Sequence, residues 1–146
     1  MTVIAWDGKT LAADKQSSDN WVKYGTTTKI RRIRGHLVGC AGDTALNKAL
    51  MFWFDAGAAP ADIPAQQLDP EKCSTMITIT PDGRALVYQA GAHPIEFESR
   101  YYALGSGKDA AAAVMELGHD SIKAVEIASR ICVGCGNGMD TLQLEA

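Results

Sequence analysis

Long apolar runs, paired histidines and an excess of positive charge are all missing from this chain of 146 residues, and each absence removes a class of function. No stretch approaches the ~20 apolar residues of a membrane span, and no basic segment leads into an apolar one as in a secretory leader. A soluble, cytoplasmic protein with no membrane partner is expected. The formal charge is −3, and the single basic cluster, Lys29, Arg31, Arg32 and Arg34, reads as the solvated face of a strand. Polyanion binding is driven by clustered cations, so no nucleic-acid partner is expected either. His36, His93 and His119 show no H-x₃₋₅-H spacing, which leaves Cys132-Val133-Gly134-Cys135 without the second ligand pair that a zinc site needs. The four cysteines read instead as reduced thiols, two of them small and buried at a helix end. Internal repeats and low-complexity tracts are absent as well.

What the chain does have is apolar content, 47% of its residues, enough for one domain over positions 1–146 with one sizeable core. Thr2–Trp6 and Thr10–Asp14 flank an Asp7-Gly8 turn and read as a hairpin. Both strands are almost continuously apolar, which predicts a sheet covered on both faces. Lys29–Arg34 and Leu37–Ala41 form a second hairpin, and Thr75–Thr80 with Arg84–Gln89 a third. Between them Leu46, Ala49, Leu50 and Trp53 take helical spacing, with Asp43 or Thr44 as cap and Gly57 as stop. Met51, Phe52 and Phe54 make this helix apolar nearly all round, which predicts a subunit interface along part of it.

Residues 58–72 hold three of the five prolines and read as irregular. Short strands at Ile95–Glu98 and Tyr101–Leu104 precede two helices, the first with a stripe of Ala110, Ala113, Val114 and Leu117, the second with Ala124, Ile127, Ala128 and Ile131. A last strand covers Asp140–Leu144. This order predicts an α+β fold with two sheet layers between helices.

Thr2 stands directly behind Met1. Loss of Met1 would leave a threonine with both a hydroxyl and a free α-amine. An α-amine of ordinary pKa, about 7.7–8.0, is partly neutral near neutrality and can take the hydroxyl proton. One residue would then supply nucleophile and base.

Further segments follow in an order that resembles the proteasome β-subunit family, its HslV branch in particular. Thr2-Val3-Ile4-Ala5 resembles the processed N-terminus of that family, and Leu11–Gln16 the strand that ends in its active-site acid. Lys29–Ile33 resembles the segment with its catalytic lysine, Val38–Asp43 the turn into its first helix, and Ala103–Gly107 its G-S-G motif. The resemblance implies a four-layer αββα sandwich of the N-terminal-nucleophile (Ntn) hydrolase type, here with the first helical pair shortened.

By the same resemblance Thr2 would be the nucleophile, and Lys29 a cation that favours the alkoxide. Asp14 would hold Lys29, the Gly39 N–H would be the oxyanion donor, and Ser106 would complete the network around the amine. Leu37 and Ala41 would line an apolar pocket for the side chain before the cut, and Ser18 would contact substrate backbone. No cofactor is required, although backbone carbonyls of Ser129, Cys132 and Cys135 would hold a monovalent cation such as sodium. Taken singly, Asp14 could be a turn acid, Lys29 a surface lysine, Gly39 a packing glycine and Ser106 a helix cap. Their joint order favours a threonine endopeptidase in a self-compartmentalising homo-oligomer, a ring or double ring, cleaving unfolded protein fed by an ATP-dependent unfoldase. A catalytically inactive assembly subunit and an Ntn amidohydrolase of small amides are the alternatives.

Overall fold

The first turn of the chain is set by one carboxylate. Asp7 Oδ1 accepts the N–H of Lys9 (2.9 Å) and of Thr10 (2.8 Å), and Gly8 takes a positive φ of 93° that only glycine adopts readily. The turn pairs β1 (Ile4–Trp6) with β2 (Thr10–Asp14), and Ile4 faces Ala13. A computed structural model describes residues 1–19 and 22–145. In it β1 and β2 lie at the centre of a four-stranded antiparallel sheet, flanked by β10 (Tyr102–Leu104) and β11 (Met139–Gln143).

A second antiparallel sheet runs in sequence order through β5 (Ile30–Ile33), β6 (His36–Ala41), β7 (Thr75–Ile79), β8 (Ala85–Tyr88) and β9 (Ile95–Phe97). Alternation along the central strands divides the apolar residues among three cores. Ile4, Trp6, Leu11 and Ala13 meet Ile30, Leu37, Ile77 and Ile79 between the two sheets. Val3, Ala5 and Ala12 turn the other way, onto α2 (Lys108–Glu116) and α3 (Ser121–Ile131). Val38, Cys40 and Met76 pack beneath α1 (Thr44–Asp55) through Leu46, Leu50 and Trp53. Three cores separate four layers, so the αββα sandwich is the observed fold. Alanines on both sides of the second core let the helix pair lie close on its sheet.

The outer layer over the second sheet is thin. Two single-turn 3₁₀ helices, Pro60–Asp62 and Ala65–Leu68, stand where a second long helix would lie. They are pinned by Gln67, whose buried amide donates to the Ser74 carbonyl and accepts the Ser74 N–H, both at 2.9 Å.

Two sequence expectations need correction, and one hairpin was not expected. On α2 the buried residues are Ala111 and Met115, while Leu117 is 80% exposed. A run of four alanines is equally apolar in every phase, so the one large side chain, Met115, decides which face turns inward. On α3 the face is Ser121, Ala124, Val125 and Ala128, and Ile131 is exposed. The segment after Asp14 forms a separate hairpin, β3 (Gln16–Asp19) and β4 (Val22–Thr26), which no apolar alternation announced. Residues 20 and 21 at its tip lie outside the described residues.

Candidate active site

Asp14 ends β2 with its side chain fully buried. A bare carboxylate there would be prohibitive, and the structure surrounds it with donors. Oδ1 accepts the Lys29 ammonium (2.9 Å) and the Val3 N–H (3.0 Å). Oδ2 accepts the Gly136 N–H (3.0 Å) and the Gln16 N–H (3.3 Å). Three of the four donors belong to the backbone, so the carboxylate is fixed by the fold itself.

Lys29 immediately precedes β5 and is only 8% exposed. Its backbone is tied to the next strand, the Cys40 N–H donating to the Lys29 carbonyl at 3.4 Å. Its ammonium bridges two groups, Asp14 and the carbonyl oxygen of Met1, the latter also at 2.9 Å. That carbonyl is the acyl group on the Thr2 nitrogen, so the cation sits at the chain end whose removal would free the amine.

Thr2 is held from its other side by the Gly105-Ser106-Gly107 turn. Its N–H donates to Ser106 Oγ at 3.0 Å, and its carbonyl accepts from Gly107 N–H at 3.0 Å and from Ser106 Oγ at 3.3 Å. Gly105 has φ of 95°, and a β-carbon there would collide with the Thr2 carbonyl. Glycine is what lets this turn wrap the threonine so closely. Cys135 Sγ lies 3.9 Å from Ser106 Oγ. Burial, and then the Asp14 charge, push the Cys135 thiol up; burial alone pushes Cys40 up to about 12. Both thiols stay protonated near neutrality and are poor nucleophiles in that form.

The cluster opens into a cleft of about 600 Å³ whose walls include Thr2, Lys29, Ser18, Cys40 and Gly42. Thus Thr2, Asp14, Lys29 and Ser106 come together, and Ser18 faces the same space. Three other expected site residues do not. Cys40 bonds to β5, so by strand alternation the backbone groups of Gly39 turn to Ile77 on β7, inside the sheet. A β-carbon on Gly39 would press on Ile30 and Ile4, so Gly39 is a packing glycine. Leu37 and Ala41 share its parity and lie in the core between the sheets, away from the cleft.

Gly42, three residues further on, borders the cleft that Gly39 does not reach. It lies just past β6 with φ of 141°, and among the described residues its N–H makes no hydrogen bond within the protein. The sequence signal was present in the same motif, a glycine directly before the Asp43 cap. Met51 and Phe52, expected at a subunit contact, border the cleft, with Phe52 67% exposed.

Ser129, Cys132 and Cys135 surround the turn after α3, where the Cys132 carbonyl accepts the Cys135 N–H at 3.1 Å. Ser129 Oγ is buried there without a partner among the described residues. A neutral, oxygen-rich turn with an orphaned hydroxyl has the donor chemistry that a hard monovalent cation takes. The described residues contain no group of three or more His, Cys, Asp and Glu able to hold a metal ion.

By sequence the chain matches no protein-family profile and no curated protein. By structure it resembles the eukaryotic HslV of Trypanosoma brucei, with a TM-score of 0.75 at 22% identity over 99% of both chains. It also resembles Thiobacillus denitrificans BPH in complex with epoxomicin, with a TM-score of 0.76 at 19% identity over 100% of both chains. A second BPH structure gives 0.73 at 18% identity over 99% of this chain and 98% of that one. These likenesses identify the fold as the four-layer αββα sandwich shared with HslV and BPH. No helix among the described residues is long and apolar enough to cross a membrane.

Proposed function

We propose that this chain is a threonine endopeptidase of the N-terminal-nucleophile type, active once Met1 is removed. One observation supports the reading above all: the buried Lys29–Asp14 pair and the Ser106 hydroxyl meet at the peptide group that joins Met1 to Thr2. Met1 is 67% exposed, which suits its removal by an aminopeptidase.

In the processed chain, Thr2 Oγ attacks the carbonyl carbon of a peptide bond, and the proton of the hydroxyl passes to the free α-amine, which Ser106 Oγ holds in place. Lys29 stabilises the alkoxide as it forms. Its charge also disfavours protonation of the amine before the attack, and Asp14 holds the ammonium in place. The Gly42 N–H serves the developing oxyanion, and a donor so placed contributes about 3–4 kcal/mol to lowering the barrier. Collapse breaks the C–N bond, and the leaving amine takes the proton from the Thr2 ammonium. Water, deprotonated by the same amine, then hydrolyses the acyl ester and releases the acid product. A monovalent cation on the Ser129, Cys132 and Cys135 carbonyls belongs to the proposal as a brace. It would stiffen the loop whose Gly136 N–H fixes Asp14 and would take no part in bond making.

The proposal extends to a homo-oligomer that encloses the sites and to an ATP-driven unfoldase that feeds it. Intact mass should show a chain lacking Met1, and epoxomicin, the compound bound to the Thiobacillus protein, should add to Thr2. Thr2→Ala should abolish both the adduct and peptide hydrolysis. A chain that retains Met1 and stays unlabelled would instead be an assembly subunit. Hydrolysis that survives Thr2→Ala would remove the nucleophile from this account.

A further inference from the structure

The floor and walls of the cleft beyond Thr2 carry more charge than a pocket for apolar side chains would. Ile30 is buried between the sheets, so strand alternation turns Lys29, Arg31 and Ile33 to the cleft, successive side chains about 7 Å apart. From the opposite wall α1 presents Thr44 and Lys48, four residues apart and on one helical face. Between the walls the floor is Cys40, a small buried side chain that leaves depth above it.

The charges do not cancel locally. Lys29 is neutralised by Asp14, but Arg31 and Lys48 enter no ion pair among the described residues. The Asp43 carboxylate caps α1 at the Leu46 N–H (2.9 Å). Asp55, the one acid among the described lining residues, lies seven residues beyond Lys48, about 10 Å along the helix. The part of the cleft bordered by Arg31 and Lys48, beyond Lys29, is therefore cationic in a protein whose net charge is −3.

Building on the peptidase reading, we propose that the cleft selects substrates with an acidic residue immediately before the cleaved bond, and that Lys48 and Arg31 are the specificity-determining residues. A glutamate side chain entering above Cys40 meets two exposed cations, open to water and without an ion-pair partner among the described residues. A leucine displaces that water and returns no charge, and a lysine is repelled. The apolar pocket expected of Leu37 and Ala41 is replaced by this one.

The test uses three fluorogenic peptide amides identical except for a final Glu, Leu or Lys. Processed protein should cleave the Glu peptide with a kcat/KM about tenfold or more above the Leu peptide, the size of one well-placed ion pair, and the Lys peptide most slowly. Lys48→Glu and Arg31→Glu, both at exposed positions, should each shrink the Glu preference and raise the Lys peptide relative to it. Cleavage with Leu preferred, or a Glu:Leu ratio untouched by both substitutions, overturns the acidic selectivity and leaves the peptidase reading intact. No turnover of any of the three, together with no epoxomicin adduct on Thr2, overturns the peptidase reading and this inference with it.

Discussion

Lys29 and Lys48 border the same cleft, yet the fold treats them in opposite ways. Lys29 is buried and holds two hydrogen bonds of 2.9 Å, while Lys48 is exposed and paired with nothing among the described residues. The inner end of the cleft is thus built from backbone and ion pair together, and the outer end from side chains that solvent still reaches. Chemistry demands a fixed geometry; recognition of a varied substrate needs only a fixed sign of charge.

The largest effects should fall on the inner end, and unequally. Removing one member of a buried pair typically costs about 3–5 kcal/mol because the other is left uncompensated. In this structure the two members differ in what they leave behind. Asp14→Ala strands the Lys29 ammonium and the N–H groups of Val3, Gln16 and Gly136, whereas Lys29→Ala leaves a carboxylate that still accepts three backbone donors. Chemical denaturation should show Asp14→Ala losing that full amount and Lys29→Ala about 1–3 kcal/mol, although both remove turnover. Equal losses would mean that the backbone donors do not hold the carboxylate as described.

Next in size is Gly105→Ala. The new β-carbon meets the Thr2 carbonyl, and the backbone stands at φ of 95°. Strain of about 1–3 kcal/mol is expected, together with a fall in kcat as Ser106 is pushed from the Thr2 nitrogen. Gly25→Ala is the comparison: φ is 111° but nothing lies within 4 Å of the added carbon. A thermal melt should show a smaller loss there, and turnover should hardly change. If the two variants are equally inactive, close wrapping of Thr2 is not what Gly105 provides.

This inner end was the more legible in the sequence, for a physical reason. Thr2, Asp14, Lys29 and Ser106 sit at ends of strands and turns that apolar runs and glycines mark, and the resemblance to the proteasome β-subunit family is what joined them into one site. Gly39, Leu37 and Ala41 were misplaced because β6 is apolar on both faces, and continuous burial erases the alternation that tells one side from the other. The true lining, Cys40 and Gly42, lay within the same motif one to three residues away. Likewise Ala110–Ala113 hid the phase of α2, and the polar strands β3 and β4 gave no apolar signal. The sandwich itself was readable because β1 and β2 are buried on both sides and helices flank the strands in sequence.

The smallest effects separate the two helical layers. Asp43 and Asp120 are equivalent caps, accepting the N–H of Leu46 (2.9 Å) and of Lys123 (2.8 Å). Substituting either with alanine should cost about 1 kcal/mol, read from urea midpoints. Their effects on peptide hydrolysis should differ. Asp43 starts the helix that carries Thr44 and Lys48 and follows Gly42 directly, so fraying there loosens both the Gly42 N–H and the cationic wall. Asp120 starts α3, whose buried face packs on the other sheet, away from the cleft. Asp43→Ala should therefore lower kcat/KM several-fold and narrow the preference for a final Glu, while Asp120→Ala should do neither. Matching losses of activity from the two variants would show that turnover follows global stability, and that the first turn of α1 does not control the outer end of the cleft.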